Sequence, residues 1–469
     1  MKTIGRALGL VVMVAVGCGG GSDDPVDATA DAPAGVDAGV DALPACEVPT
    51  GAGTEHQGLI EADETWTAAG SPHVVIGNIS IRGATVTVER CAVVRVRKGF
   101  VFDVGQTIGG EPAAIVARGA TFERAVAGEA WGSLRAFPTG HLDLEGVTFT
   151  GAGDPDTAVN LGGTLVVVAD EETGETDLLR TVDVTITGSG GFGVNLQGGA
   201  VFTADSDRLT ISESGSLPDG TSVPSRTPFY VTGASFSSIP PGTYTGNDVD
   251  EVMVAAASNI TGDATFHERG IPYHLSDGFA MAPPTTADVG GLSTLTIEAG
   301  VTLRFDAGVA AYAMTLGVSS GGTPELIRPV RVVAAGTEAA PIVFTSRAAA
   351  PVAGDWGGIE WRGGPPDGNV MQHVTIAYAG GDSGSSGFGC GPGDNDAALI
   401  IANWRPDDAF ITDSTFLDSA GGGIVSGWAS DAAGPELRSN NTFTRVGVCE
   451  VSRWADGNGS CPSTPPICL

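Results

Sequence analysis

The side chains able to do acid–base or metal chemistry in this chain gather late in it. Asp394-Asn395-Asp396 and Asp407-Asp408 are its best carboxylate groupings, both in loop-like stretches beside Trp-rich segments. Two acids flanking a glycosidic bond, one protonated and one ionised, are what glycoside hydrolysis needs, so Asp394, Asp396, Asp407 and Asp408 are the catalytic candidates. Solvated loop acids are the plainer reading of the same residues. The i, i+2 spacing of Asp394 and Asp396 also suits oxygen ligation of Ca2+, the one cofactor to consider. The glycine-rich calcium nonapeptide is not matched, because Pro392 and Asp394 stand where it needs glycine. Trp404 and Trp428 are candidate ligand-binding rings. Large aromatics are more often packing material, however, and most of Trp356, Trp361, Trp404, Trp428 and Trp454 are expected inside. No Ser-His-Asp set, phosphate loop or H-E-x-x-H motif is present.

The elements that would carry these residues are strands. The 469-residue chain has 71 Gly and only 17% charged residues, with abundant Val, Thr and Ile, which suits short strands joined by many turns. Its formal charge of −32 argues against nucleic acid as a partner, since phosphate binding needs a Lys/Arg surface. The acidity fits solubility outside the cytoplasm.

The N-terminus reads as an export signal. Lys2 and Arg6 precede an apolar run from Ala7 to Val16 that is too short for a permanent membrane span. Ala15-Val16-Gly17-Cys18 resembles a bacterial lipobox, which implies a signal peptide over 1–17, lipidation of Cys18 and a membrane partner reached through that lipid. Gly19 after the cysteine implies the outer membrane. Residues 18–45 repeat Val-Asp-Ala without aromatics and read as an acidic disordered tether. Cys46, Cys91, Cys390, Cys449, Cys461 and Cys468 remain, an even set that suits disulfides in an exported protein, with fifteen pairings open. Three of them fall in 448–469, read as a stapled C-terminal cap.

The chain also repeats itself. "IEADETWTAAGSPHVV" from Ile60 answers "ITGDATFHERGIPYHL" from Ile260, pairing Asp63 with Asp263, Trp66 with Phe266 and Pro72 with Pro272. "TVTVERCAVVRV" (85–96) answers "TLTIEAGVTLRF" (294–305), and both alternate with the period of a strand buried on one face. "GEAWGSLRAF" (128–137) answers "GDWGGIEWRG" (354–363), and "EGVTFTGAGD" (145–154) answers "QHVTIAYAGGD" (372–382). "VDVTITGSGGFGV" answers "ITDSTFLDSAGGGI" further along. Within each copy, strand–turn–strand units recur every twenty to thirty residues, the signature of a solenoid. First and second modules are placed at 46–259 and 260–447.

"LTIEAGVTLRF", "VVAAGTEAAPIVFTS", "GDWGGIEWRGG" and "MQHVTIAYAGG" resemble exported right-handed parallel β-helix proteins of Gram-negative bacteria. The resemblance implies an all-β right-handed parallel β-helix built of two tandem related modules, in one elongated monomeric body. It fixes no single activity. Neither the acid and Gly-His-Gly set of polygalacturonases nor the motifs of pectate lyases are found. The leading expectation is therefore a non-catalytic envelope or surface protein for adhesion or polysaccharide binding. A β-helix polysaccharide lyase or glycoside hydrolase and a purely structural envelope protein are the alternatives. Activity is expected where the copies differ, above all in the loop from Gly380 to Leu399.

Overall fold

A computed structural model describes residues 46–153, 162–170, 176–215, 227–255, 257–276, 278–283, 291–308, 312–317, 328–384, 396–402, 404–427, 434–453 and 467–469. The compact body spans Glu47–Leu469. Its strands are short and, up to Val451–Arg453, stack in parallel on counterparts one coil away. Val330–Ala335, Ile342–Ser346 and Ile359–Trp361, for example, lie on Ser293–Ile297, Thr302–Phe305 and Met314–Leu316. The chain is a right-handed parallel β-helix, as the sequence implies.

Period-two patterning explains each side. In Thr85–Val88 and Val93–Val96 alternate residues are buried, and the inward set joins one continuous apolar core running the length of the body. Inward residues stack on like residues, as where the Phe122 and Phe149 rings lie 5.0 Å apart. Outward threonines form ladders, Thr121–Thr148–Thr185–Thr210 in one half and Thr375–Thr415–Thr442 in the other. Single-residue corners need the left-handed backbone. Glycine takes it at Gly119 and Gly146, but Asp183, His373 and Asp413 hold it at comparable corners between strands.

The sheets change hands midway. Strand His73–Ile81, itself paired along its length with Thr54–Ile60, belongs to two sides at once, its start pairing with Val93–Val96 and its end with Phe102–Val104. The first of these sides is followed to Gly242–Thr243. The second continues through Val252–Ala255 to Tyr273–Leu275, and its pairings run on to Asn441–Thr444. An opening five-stranded sheet ends at Leu179–Val182, while a new five-stranded sheet starts at Ala264–Phe266 and a new eight-stranded one at Ala257–Ile260. Ile260, where the sequence starts its second copy, falls at this changeover.

Several matched positions keep the same job. Asp63 Oδ1 accepts the Thr85 amide at 2.8 Å, and Asp263 Oδ1 accepts the Thr294 amide at 2.7 Å, so each aspartate orders the first residues of the next coil. The Trp131 indole donates to the Thr150 carbonyl at 3.0 Å and the Trp356 indole to the Ala377 carbonyl at 2.9 Å, each at the end of a matched Val-Thr strand. Cys91 and Gly300 share one left-handed corner, with φ of 67° and 91°. Pro272 and Pro341 stand immediately before strands Tyr273–Leu275 and Ile342–Ser346, where a missing N–H costs least.

Candidate functional site

The eight-stranded sheet carries an outward ladder of Ala280, Thr315, Glu360, Ile400, Val425 and Ser452. Glu360 is its only charged rung. It sits between Ile359 and Trp361, whose side chains enter the core, so alternation forces the carboxylate outward. Yet Glu360 is only 1% exposed. Its Oε1 lies 2.7 Å from Arg362 Nε, and the Arg362 side chain is 38% exposed, so the acid is held behind an arginine that solvent can reach. Burial pushes the Glu360 carboxyl up toward its neutral form, against the pull of Arg362.

Three further groups come to this place. Tyr312 packs on the small apolar cluster of Ala397, Ile400, Ala402 and Val425 that covers the same outer face. Burial raises the Tyr312 phenol, a hydrogen bond with the Ser383 side chain opposes that rise, and Glu360 and Asp396 add to it through their charge. The Ser383 amide donates to Asp396 Oδ1 at 2.9 Å. Ser383 and Asp396 are thus the two described stems of the loop expected to carry activity, tied to each other and to the Glu360 face. A carboxyl biased toward its acid form, a second carboxylate, a phenol, a hydroxyl and a guanidinium can bind sugar hydroxyls and could transfer a proton.

The other sequence candidates go elsewhere. Asp407 pairs with Arg405 at 3.2 Å. Asp408 lines a separate open cavity beside the strand Val370–Gln372. Trp404 is 6% exposed, its ring 4.9 Å from that of Trp361, and its indole donates to the Trp361 carbonyl. It is a packing residue, because no ring face is left for a sugar. Trp356 and Trp361 are fully buried, as expected. Asp394, Trp428, Trp454, Cys390, Cys461 and Cys18 lie outside the described residues. Cys449 and Cys468 form a disulfide with Cα atoms 5.3 Å apart, and beside it Ile467–Cys468 pairs antiparallel with Val451–Arg453. Cys46 and Cys91 are also disulfide-bonded. Among the described residues no three metal-ligating side chains cluster. Asp263, His267 and His274 serve separate contacts, His267 with Glu298 at 2.8 Å and His274 with Asp306 at 3.0 Å.

Two groupings escaped the sequence reading. Glu360 was legible as an outward rung of "GGIEWRG", but its burial depends on neighbours from Tyr312 to Asp396 that only folding assembles. Glu251, 4% exposed, meets Arg304 at 2.7 Å and Arg347 at 2.9 Å, ninety-six residues away along the chain. It ties the coil of Val252–Ala255 to those of Thr302–Phe305 and Ile342–Ser346, across the intervening strand Tyr273–Leu275.

Fold and site together define a parallel β-helix with a polar centre on one outer sheet face. Residues 285–407 match the family model of the pectate-lyase-like beta helix domain, a segment that contains Tyr312, Glu360, Arg362, Ser383 and Asp396. No curated protein and no solved structure matches the chain.

Proposed function

We propose that this is an exported, lipid-anchored envelope or surface protein that holds polysaccharide on the outer face of its eight-stranded sheet, without turning it over. The observation that carries the reading is the convergence of Tyr312, Arg362, Ser383 and Asp396 around the buried Glu360. A polar cluster on a solenoid face, served by the stems of a long loop, is a site for an extended ligand. Anchoring rests on Cys18 and on the tether that follows it. A panel of polysaccharides presented to the purified protein is the direct test, with binding and released products scored together. Asp396→Asn and Tyr312→Phe should each weaken binding about tenfold, the loss of one good polar contact. Equal binding by both variants would remove the site from the reading. A Cys18→Ala protein that stayed in the membrane fraction would remove the anchor.

The second reading is catalysis, favoured by one feature: a carboxyl raised by burial near a second carboxylate is how a proton donor is made. Release of reducing ends or unsaturated sugars, abolished in Glu360→Gln, would put this reading first.

A further inference from the structure

The charges on the Glu360 face bear on which polysaccharide can lie there. Its arginine is already engaged. Glu360 and Arg362 stand two positions apart, hence on one side of the backbone, and the Arg362 amide keeps the ladder register by donating to the Leu316 carbonyl at 2.8 Å. Arg362 Nε then lies 2.7 Å from Glu360 Oε1, so the guanidinium is turned toward a carboxyl of its own chain. The neighbouring outward rungs, Thr315 and Ile400, carry no charge.

The remaining charge at this place is negative. Asp396 is held there by the Ser383 amide at 2.9 Å. The Tyr312 phenol reports the balance. Burial raises it most and the Ser383 hydrogen bond opposes that rise; the charges of Glu360 and Asp396 then push it further up, and the pull of Arg362 is the smallest contribution. Between Gly380 and Leu399 the sequence supplies Asp382, Asp394 and Asp396 and no lysine or arginine. The whole chain, at a formal charge of −32, adds a field of the same sign.

A uronic-acid polymer brings a carboxylate on each sugar, and each needs a cation to replace the hydration it loses on binding. Here Arg362 faces Glu360, and Asp396 repels. Hydroxyls ask only for hydrogen bonds, which a phenol, a carboxylate and the solvent-reached side of a guanidinium supply. We infer, building on the polysaccharide reading of this face, that it takes uncharged chains of the glucan, mannan or xylan kind and excludes uronic-acid polymers. A like charge and an engaged cation work against the wrong ligand rather than for the right one.

Calorimetric titration of the purified protein compares neutral gluco-, manno- and xylo-oligosaccharides with oligogalacturonate and oligomannuronate, with and without Ca2+. Physiological salt screens the long-range field, so contacts within the site decide the outcome. At least one neutral chain should bind, and both uronates about tenfold or more weakly than it, Ca2+ or no Ca2+. Binding at this face is recognised by its weakening in Tyr312→Phe. Thr315→Lys adds a cation on the half-buried rung in register with Glu360 and should raise uronate affinity about tenfold, with neutral binding retained. A uronate that binds as tightly as the best neutral chain, in a Tyr312-dependent way, would overturn the inference and leave the polysaccharide reading standing. So would a Thr315→Lys protein that keeps its neutral ligand and gains nothing for uronates. Binding of neither class would end the polysaccharide reading and this inference with it.

Discussion

Arg135 and Glu360 stand in comparable places and do opposite things. Each lies four residues after a buried tryptophan, Trp131 or Trp356, that ties the same carbonyl of a matched strand. Arg135 faces outward and pairs with Asp103 at 2.6 Å in a position solvent reaches. Glu360 faces outward as well but is covered, and burial raises its carboxyl. The outer face of the opening sheet carries a partly solvated ladder of paired charge, Arg118–Asp143–Arg180, extended by Asp205 beyond the sheet. Glu360 in the second module and Glu251 near the end of the first are covered instead. One scaffold thus supports two kinds of surface, and chemistry collects where the charge leaves water.

The scaffold side of this comparison breaks most visibly at the tryptophans. Trp131→Ala and Trp356→Ala should each cost about 3–5 kcal/mol, and similar losses by urea unfolding would mark them as one structural device. A large loss in only one copy would break the equivalence. Next comes the clamp: Glu251→Ala strands Arg304 and Arg347 and should cost about 2–3 kcal/mol, less than a wholly buried pair because both arginines are partly exposed.

pH separates the two surfaces by sign. Glu360 has a raised pKa when folded, so its contribution is complete below the ordinary glutamate value and is lost as pH rises through the folded value. Asp143 is the reverse. Part burial pushes it up, but Arg118 and Arg180 overcome that and hold it low, so its contribution is present above the ordinary aspartate value and is lost as pH falls. Unfolding midpoints followed from about pH 3 to 8 should show Glu360→Gln flattening the fall above the ordinary glutamate value and Asp143→Asn flattening the fall below the ordinary aspartate value. Both variants acting on the same limb would contradict the contrast. The smallest effect is expected at the shared caps: Asp63→Ala and Asp263→Ala should lower stability equally, by about 1 kcal/mol each in thermal unfolding.

Much of the fold was legible because a solenoid is written locally. Alternation in "TVTV" and "TLTI" marks which residues stack inward, and glycine or aspartate at the corners marks where coils turn. The repeat even located real bonds, since Asp63 and Asp263 recur because the next coil's threonine amide needs an acceptor in each case. The site was harder to see. The spacing of Asp396 with Asp394 is visible in the sequence, but its tie to the Glu360 face through Ser383 and Tyr312 is not. Trp404 is a candidate sugar platform by residue type alone, but its ring is wedged against Trp361 and Phe410.

The sequence by itself determined strand period, corner chemistry, the internal repeat and the β-helix that follows, because each depends on residues within one or two coils. Tertiary structure alone decided where the sheets exchange partners near Ile260, which outward acids are covered, and that Glu251 spans to Arg347. Burial and charge pairing are properties of neighbours brought from distant turns of the helix, and no spacing along the chain encodes them.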